Sequence, residues 1–371
     1  MLIKNNIIAK KKNIRDTRQS EAVKAFKKGG ILLASPRFGK TKVCLETLKG
    51  KNILIIIPNN DLKIGWKNEI EKWKFKGTYK ILNKSSIKKI TNDYDAILID
   101  EIDTLSPANI KGLKKYKKIL YGCTGSLGEK SQEALSKELG MNIVYEYSIE
   151  QAVTEGVIAD YRIYVHPVDL DKTDSYVEIG KWITTEEKSY EYWTKKLKEV
   201  AAKIANSYSN PYNSFNMRQL IQDRMRLGLM RSQYISRYLS KLKKAKEIVD
   251  SLDRCIIFTS RTDRADYLGN GYHSKSKDVL DKFLSGKLSN IAVCKYLSRG
   301  FTDPTLKKAV IHHLTSSQED AIQKILRTMN LDPEGNVAEI HVCTYRNTKD
   351  TDWTTNALKL FNQDKVIWLD K

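Results

Sequence analysis

The stretch ILLASPRFGKTK, residues 31–42, runs an apolar segment straight into Gly39, Lys40 and Thr41 and then into the helical pattern KVCLETLKG. A loop that carries a strand into a helix turns backbone N–H groups toward an anion at the helix N-terminus. In that context Lys40 reaches the β and γ phosphates of a nucleotide and the Thr41 hydroxyl ligates magnesium, with Ser35 and Gly39 in the cradle. The pattern departs from G-x-x-x-x-G-K-T, because Ala34 stands six residues before the lysine and Arg37 stands two before Gly39.

About sixty residues on, ILIDEIDTL places Asp100 and Glu101 directly after the apolar run 96–99. Carboxylates at the C-terminal end of a parallel strand stand where ligands bind in open α/β sheets. Asp100 is then the group to hold magnesium, partly through water. Glu101 is the group to polarise a water attacking the γ-phosphate. A DEID in isolation is equally a solvated acidic turn before Asp103; its place downstream of GKT, on a strand of its own, favours the catalytic reading.

Such groups need a scaffold, and the chain spells one out. Short apolar runs at 31–34, 53–57, 96–99, 119–123 and 143–147 alternate with amphipathic stretches, the rhythm of parallel strands buried on both faces and joined by helices. The rhythm returns at 255–259, 291–294, 309–313 and 338–343. The fold class expected is therefore α/β, with a first doubly wound parallel-sheet domain over residues 1–150 and a second over 151–371. Within the second lies an insert at about 176–252, after the strand-like YRIYVHPV. It becomes helical from Thr184, where Thr184 and Glu187 have capping-box spacing, and a second helical pattern runs from Met217 to Leu252. Its Trp182, Trp193 and Tyr212, set among Lys and Arg, could stack on nucleic acid or simply pack a helical hairpin onto its domain.

Composition excludes several classes. No apolar run approaches the roughly 20 residues that cross a bilayer, and the Lys-rich Met1–Lys12 has no apolar h-region behind it, so the expected location is cytoplasmic. The five cysteines (Cys44, Cys123, Cys255, Cys294, Cys343) stand singly and read as reduced core residues, and His312 and His313 are adjacent on an apparent strand and point to opposite faces, so neither set makes a zinc site. With 65 Lys plus Arg against 44 Asp plus Glu, the chain carries +21. That points to a polyanionic partner, although a Lys- and Asn-rich composition also follows from an AT-rich genome.

Beyond these two sites, the order of segments along the chain resembles superfamily 2 helicases and translocases, the DEAD/DEAH-like proteins with two RecA-like domains in tandem. IRDTRQSEA resembles the family's glutamine motif, with Gln19 reading the adenine. PNNDLKIGWKNEIEKW has Pro58, Leu62 and Trp66 in the family's rhythm, with Pro58 and Lys63 toward one nucleic-acid strand. CTGSLG resembles the motif that couples hydrolysis to strand movement, through Thr124 and Ser126. RCIIFTSR resembles the first motif of the second domain, with Thr259, Ser260 and Arg261 toward nucleic acid. SRGFTDP resembles the next, with Arg299 toward nucleic acid, Gly300 at the nucleotide and Thr302 or Asp303 in the cleft. SSQEDAIQKILRTMN resembles Q-x-x-G-R-x-x-R, in which Gln323 matches and Arg327 matches the arginine finger.

The resemblance implies ATP and Mg²⁺ as cofactors, and an ATPase coupled to movement along single-stranded or branched DNA. Compact phage recombination and branch-migration helicases are nearest in type, which would place the chain in the host cytoplasm beside recombination, replication or restriction proteins. DEID and TGS depart from the DEAD-box type, which disfavours RNA. Arg37, Leu326 and Asn330 replace, respectively, a loop glycine, the glycine of the last motif and its second arginine; Arg299 or Arg37 could compensate. These departures keep open an ATP-binding DNA clamp that hydrolyses weakly; with no recognisable nuclease or specificity segment in the sequence, the motor subunit of a larger restriction or remodelling complex stays open too.

Overall fold

Strands β1 (Gly30–Ala34), β2 (Asn52–Ile57), β3 (Thr78–Asn83), β4 (Ala96–Asp100), β5 (Ile119–Thr124) and β6 (Ile143–Tyr147) form one parallel sheet in the order β3-β2-β4-β5-β1-β6. This is a computed structural model. It describes residues 2–60, 62–91, 93–116, 119–208, 214–294, 303, 305–315, 318–329 and 337–369, and only the backbone of 2–12, 208, 214–216 and 319. Ile53–Ile57 are all buried, as a strand covered on both faces requires. Helices α1 (Leu2–Phe26), α2 (Lys40–Thr47) and α3 (Leu62–Lys72) contribute Ala22, Phe26, Val43, Leu62, Trp66 and Ile70 to the core on one face.

The second sheet is also wholly parallel. Its strands are β7 (Tyr161–Val168) and, after an antiparallel hairpin of β8 (Val177–Ile179) and β9 (Trp182–Thr184), β10 (Cys255–Phe258), β11 (Gly271–Tyr272), β12 (Asn290–Val293), β13 (Lys308–Ile311), β14 (Ala338–Tyr345) and β15 (Val366–Trp368). Their order is β11-β12-β10-β13-β14-β7-β15. The strand-like YRIYVHPV thus belongs inside this sheet, between β14 and β15. Its alternating burial marks a strand with one face less covered than the other.

The insert consists of the small hairpin and helices Glu186–Tyr208, Ser214–Ile235 and Ser240–Ser251. Two details correct the sequence expectations. The Thr184–Glu187 capping box does not form, since Thr184 is still paired with Val177 in the hairpin; Thr185 accepts the Lys188 N–H at 3.3 Å instead. The helical pattern over 217–252 also breaks at residues 236–239, because the buried Glu186 carboxylate accepts the N–H groups of Leu239 (2.6 Å) and Ser240 (3.0 Å) and starts a new helix there. The new helix is pinned to the helix Lys349–Ala357, which follows β14, by a fully buried ion pair, Lys241 Nζ to Asp350 Oδ2 at 2.6 Å. Trp193 packs on Tyr234 at 5.0 Å, whereas Trp182 is exposed on β9; Tyr212 lies outside the described residues. Among the described residues no helix is long and apolar enough to cross a membrane, and no cluster of three or more His, Cys, Asp or Glu could hold a metal. His312 and His313 follow the end of β13 instead of alternating on it.

Candidate nucleotide site

Strand order assembles the site. β5 runs between β1 and β4, with Leu33 opposite Thr124 and Cys123 opposite Asp100, so the phosphate loop, the acidic pair and the TGS turn leave the sheet at one C-terminal edge. There the loop enters α2 through Gly39 at φ 90°, a left-handed conformation in which a side chain would be strained and would collide with the Gln19 amide. Gln19 is buried and donates to the Phe38 carbonyl at 2.5 Å while accepting from Lys42 Nζ at 2.8 Å, which fastens α1 to the loop. Lys40 Nζ donates to the Ala34 carbonyl at 2.9 Å, within the curl of the loop.

Two non-glycine residues at this edge have positive φ: Arg37 at 68° and Glu101 at 49°. Each such position costs about 1–3 kcal/mol and persists only where the surroundings impose it. At Glu101 the turn swings the chain off β4 immediately after Asp100 and directs the next carboxylate away from the strand axis. Asp100 Oδ2 accepts the Trp66 indole N–H at 2.9 Å, and Oδ1 lies 3.6 Å from Cys123 Sγ. Thr124 Oγ1 is 2.5 Å from Asp103 Oδ1, 2.9 Å from the Ser126 carbonyl and 3.4 Å from Glu101 Oε2; the Ser126 N–H donates back to it at 3.3 Å. The two hydroxyl residues expected to couple hydrolysis to movement are thus buried, Thr124 bonded to the acidic turn and Ser126 bonded through its backbone to Thr124.

These groups open onto a cleft of about 990 Å³. Its walls include Gln19, Arg37, Gly39, Lys40, Thr41, Asp100 and Glu101 from around the first sheet and Gln323, Leu326 and Arg327 from around the second. Burial first, and then the positive charge of Arg327, lowers the pKa of Arg37. The buried Ser35 Oγ has no hydrogen-bond partner among the described residues, a polar atom left for a ligand at the base of the loop. The residues present therefore fit a magnesium nucleoside triphosphate: a cationic loop, a hydroxyl, two carboxylates and an opposing guanidinium.

Other expected positions lie elsewhere. Pro58 is half-buried and Lys63 exposed, beside α3. Thr259 is buried with its hydroxyl 3.4 Å from His312 Nδ1, while Ser260 is exposed and Arg261 pairs with Asp263 at 2.9 Å. Asp303 does not face the cleft: it is buried in an ion pair with Arg254 at 2.7 Å, and Arg254 precedes β10, at the opposite edge of the second sheet. Arg299, Gly300, Thr302 and Asn330 lie outside the described residues. The Trp66 bond to Asp100 and the Lys42 bridge were absent from the sequence reading. Trp66 carried a signal, as one of the residues in the rhythm after β2, but nothing in sequence aims its N–H.

No family model matches the chain, and no curated protein matches it by sequence. By fold it is similar to the helicase domain of Pyrococcus furiosus Hef, with a TM-score of 0.55 at 13% identity over 91% of this chain and 97% of that one. It is also similar to the ATP-dependent Type ISP restriction-modification enzyme LlaBIII bound to DNA, with a TM-score of 0.57 at 13% identity over 96% of this chain but 31% of that one. The chain has two parallel-sheet α/β domains in tandem, with a helical insert in the second, a fold similar to that of these two proteins.

Proposed function

We propose that this chain is an ATP-dependent DNA helicase or translocase that couples hydrolysis to movement along single-stranded or branched DNA. The observation that carries the reading is the shared cleft, in which Lys40, Asp100 and Glu101 from one RecA-like domain face Gln323 and Arg327 from the other. A triphosphate held by Lys40 and the loop N–H groups draws Arg327 toward the same phosphates, so binding favours closure and phosphate release favours opening. Thr41 and Asp100 would hold the magnesium ion, which supplies charge neutralisation at the phosphates. Glu101 orients the attacking water and accepts its proton. Thr124, bonded to the acidic turn, and Ser126, bonded to Thr124, carry changes there toward the strand. The charge of +21 suits a phosphate backbone, and a fold relative is, by its name, a DNA-bound restriction-modification enzyme. We place the chain in the cytoplasm.

The test is steady-state phosphate release without nucleic acid and with single-stranded DNA, duplex, fork, four-way junction and RNA. Strong stimulation by a DNA substrate supports the motor and names its structure. ATP binding with no stimulation by any of them sinks it in favour of a clamp or a subunit completed by a partner.

A further inference from the structure

Trp66 lies in the second turn of α3, 5% exposed, and packs in the first-domain core with Leu62 and Ile70. Filling that space needs only an aromatic ring. Yet the residue is the one aromatic hydrocarbon-like side chain whose polar atom is solely a donor, and its N–H meets Asp100 Oδ2 at 2.9 Å. A hydrogen bond to an ionised carboxylate is roughly twice as strong as a neutral one and fixes direction as well as distance. The other oxygen, Oδ1, has Cys123 Sγ at 3.6 Å. Asp100 ends β4, where the sheet no longer holds its side chain, and its carboxylate is instead braced from α3 and from β5.

We propose that Trp66 is a positioning residue for divalent metal. Its indole N–H holds the Asp100 carboxylate in the orientation from which that carboxylate would serve a metal-bound water in the nucleotide cleft. This rests on the reading of Asp100 as the metal-side carboxylate. Carboxylates that serve metals are oriented by partners behind them, and loss of such a partner typically costs about 10–100-fold in metal affinity.

The experiment compares wild type, Trp66→Phe and Asp100→Asn. Three quantities are read: Mn²⁺ binding in the presence of the non-hydrolysable analogue AMP-PNP by electron paramagnetic resonance, AMP-PNP binding in EDTA, and the thermal midpoint. Trp66→Phe keeps the ring and removes the N–H. It should weaken Mn²⁺ binding by about 10-fold or more while metal-free nucleotide binding stays unchanged, and excess Mg²⁺ should restore turnover. If Asp100→Asn weakens Mn²⁺ and a folded Trp66→Phe does not, the positioning role is overturned. If Asp100→Asn leaves Mn²⁺ binding intact, the metal assignment of Asp100 fails, and this inference with it. Should Trp66→Phe not fold, the ¹H–¹⁵N indole resonance of wild-type Trp66 replaces it: a shift on adding Mg²⁺ to the AMP-PNP complex supports the role, and an unmoved resonance overturns it.

Discussion

Arg37 and Arg327 line one cleft from different domains, and the charge of Arg327 adds to burial in lowering the pKa of Arg37. Two guanidinium groups so placed gain from an anion between them, and the proposed triphosphate would supply one. Arg327→Ala should leave ATP affinity within about tenfold of wild type but lower DNA-stimulated phosphate release by about 10³ or more, the scale on which an arginine finger acts. Stimulated turnover near the wild-type rate would assign the finger to another residue.

Lys40 is held against the Ala34 carbonyl at 2.9 Å, so the loop is already curled around its ammonium. Lys40→Ala should lower phosphate release by about 10²–10³, the cost of removing one preorganised charge-stabilising donor. The half-exposed side chain adds little to the core, so the circular dichroism spectrum should not change. Wild-type turnover in this variant is incompatible with the site.

Glu101 has an unfavourable backbone, φ 49°, and its Oε2 lies 3.4 Å from the Thr124 hydroxyl that also meets Asp103. Glu101→Gln keeps the shape and removes the carboxylate proposed as the base. We expect ATP binding to persist, hydrolysis to fall by about 10² or more, and DNA to dissociate more slowly in ATP because closure is no longer released. A filter-binding off-rate with and without ATP reads this directly. Normal hydrolysis would move the water-orienting role elsewhere.

The sheets were legible where burial is two-sided, since Ile53–Ile57 and Cys255–Phe258 have no polar face to confuse the pattern. β3 was not legible. Thr78, Tyr79 and Lys80 are exposed on an edge strand, so its apolar signal is confined to Ile81 and Leu82. The break at residues 236–239 carries no Gly or Pro because its cause is Glu186, 53 positions upstream. The GKT loop and the acidic pair are local patterns, and the structure brings both to one cleft. Trp66 to Asp100 spans 34 positions and depends on how α3 lies over β4, which periodicity does not report. Asp303 was misplaced for the converse reason: a motif rhythm located it, while its actual partner is Arg254, 49 positions away.

His312 and His313 are held neutral by burial, with the charge of Lys241 adding to it; His312 falls well below 6.5 and His313 to about 4, although Asp350 pulls His313 upward. The unfolded chain takes up these protons from about pH 6.5 downward and the folded chain does not. The stability they contribute is therefore present above pH 6.5 and is lost as the pH falls toward 4, at up to about 1.4 kcal/mol per pH unit for each proton. Denaturant midpoints between about pH 7 and pH 5 should fall accordingly. His313→Asn should flatten the slope; an equal slope in that variant would move the effect to other groups.

DNA affinity should depend steeply on salt. The chain has 21 more basic than acidic residues, and the insert helix Ser214–Ile235 carries Arg218, Arg224, Arg226 and Arg231 against Asp223 alone. Several of its apolar residues, Ile221, Met225 and Leu229, are exposed as well, so this helix is not a solvated polar face and has surface to offer a large partner. Each phosphate neutralised by Lys or Arg releases counterions, and a protein making about 6–10 such contacts loses about 10³–10⁵ in affinity between 50 and 200 mM salt. Arg224→Ala combined with Arg226→Ala should weaken DNA binding and lower the slope by about 2 if the insert grips the backbone. An unchanged slope would confine the insert to packing through Trp193 and Tyr234, and a shallow slope in the wild type would remove the electrostatic case for a nucleic-acid motor.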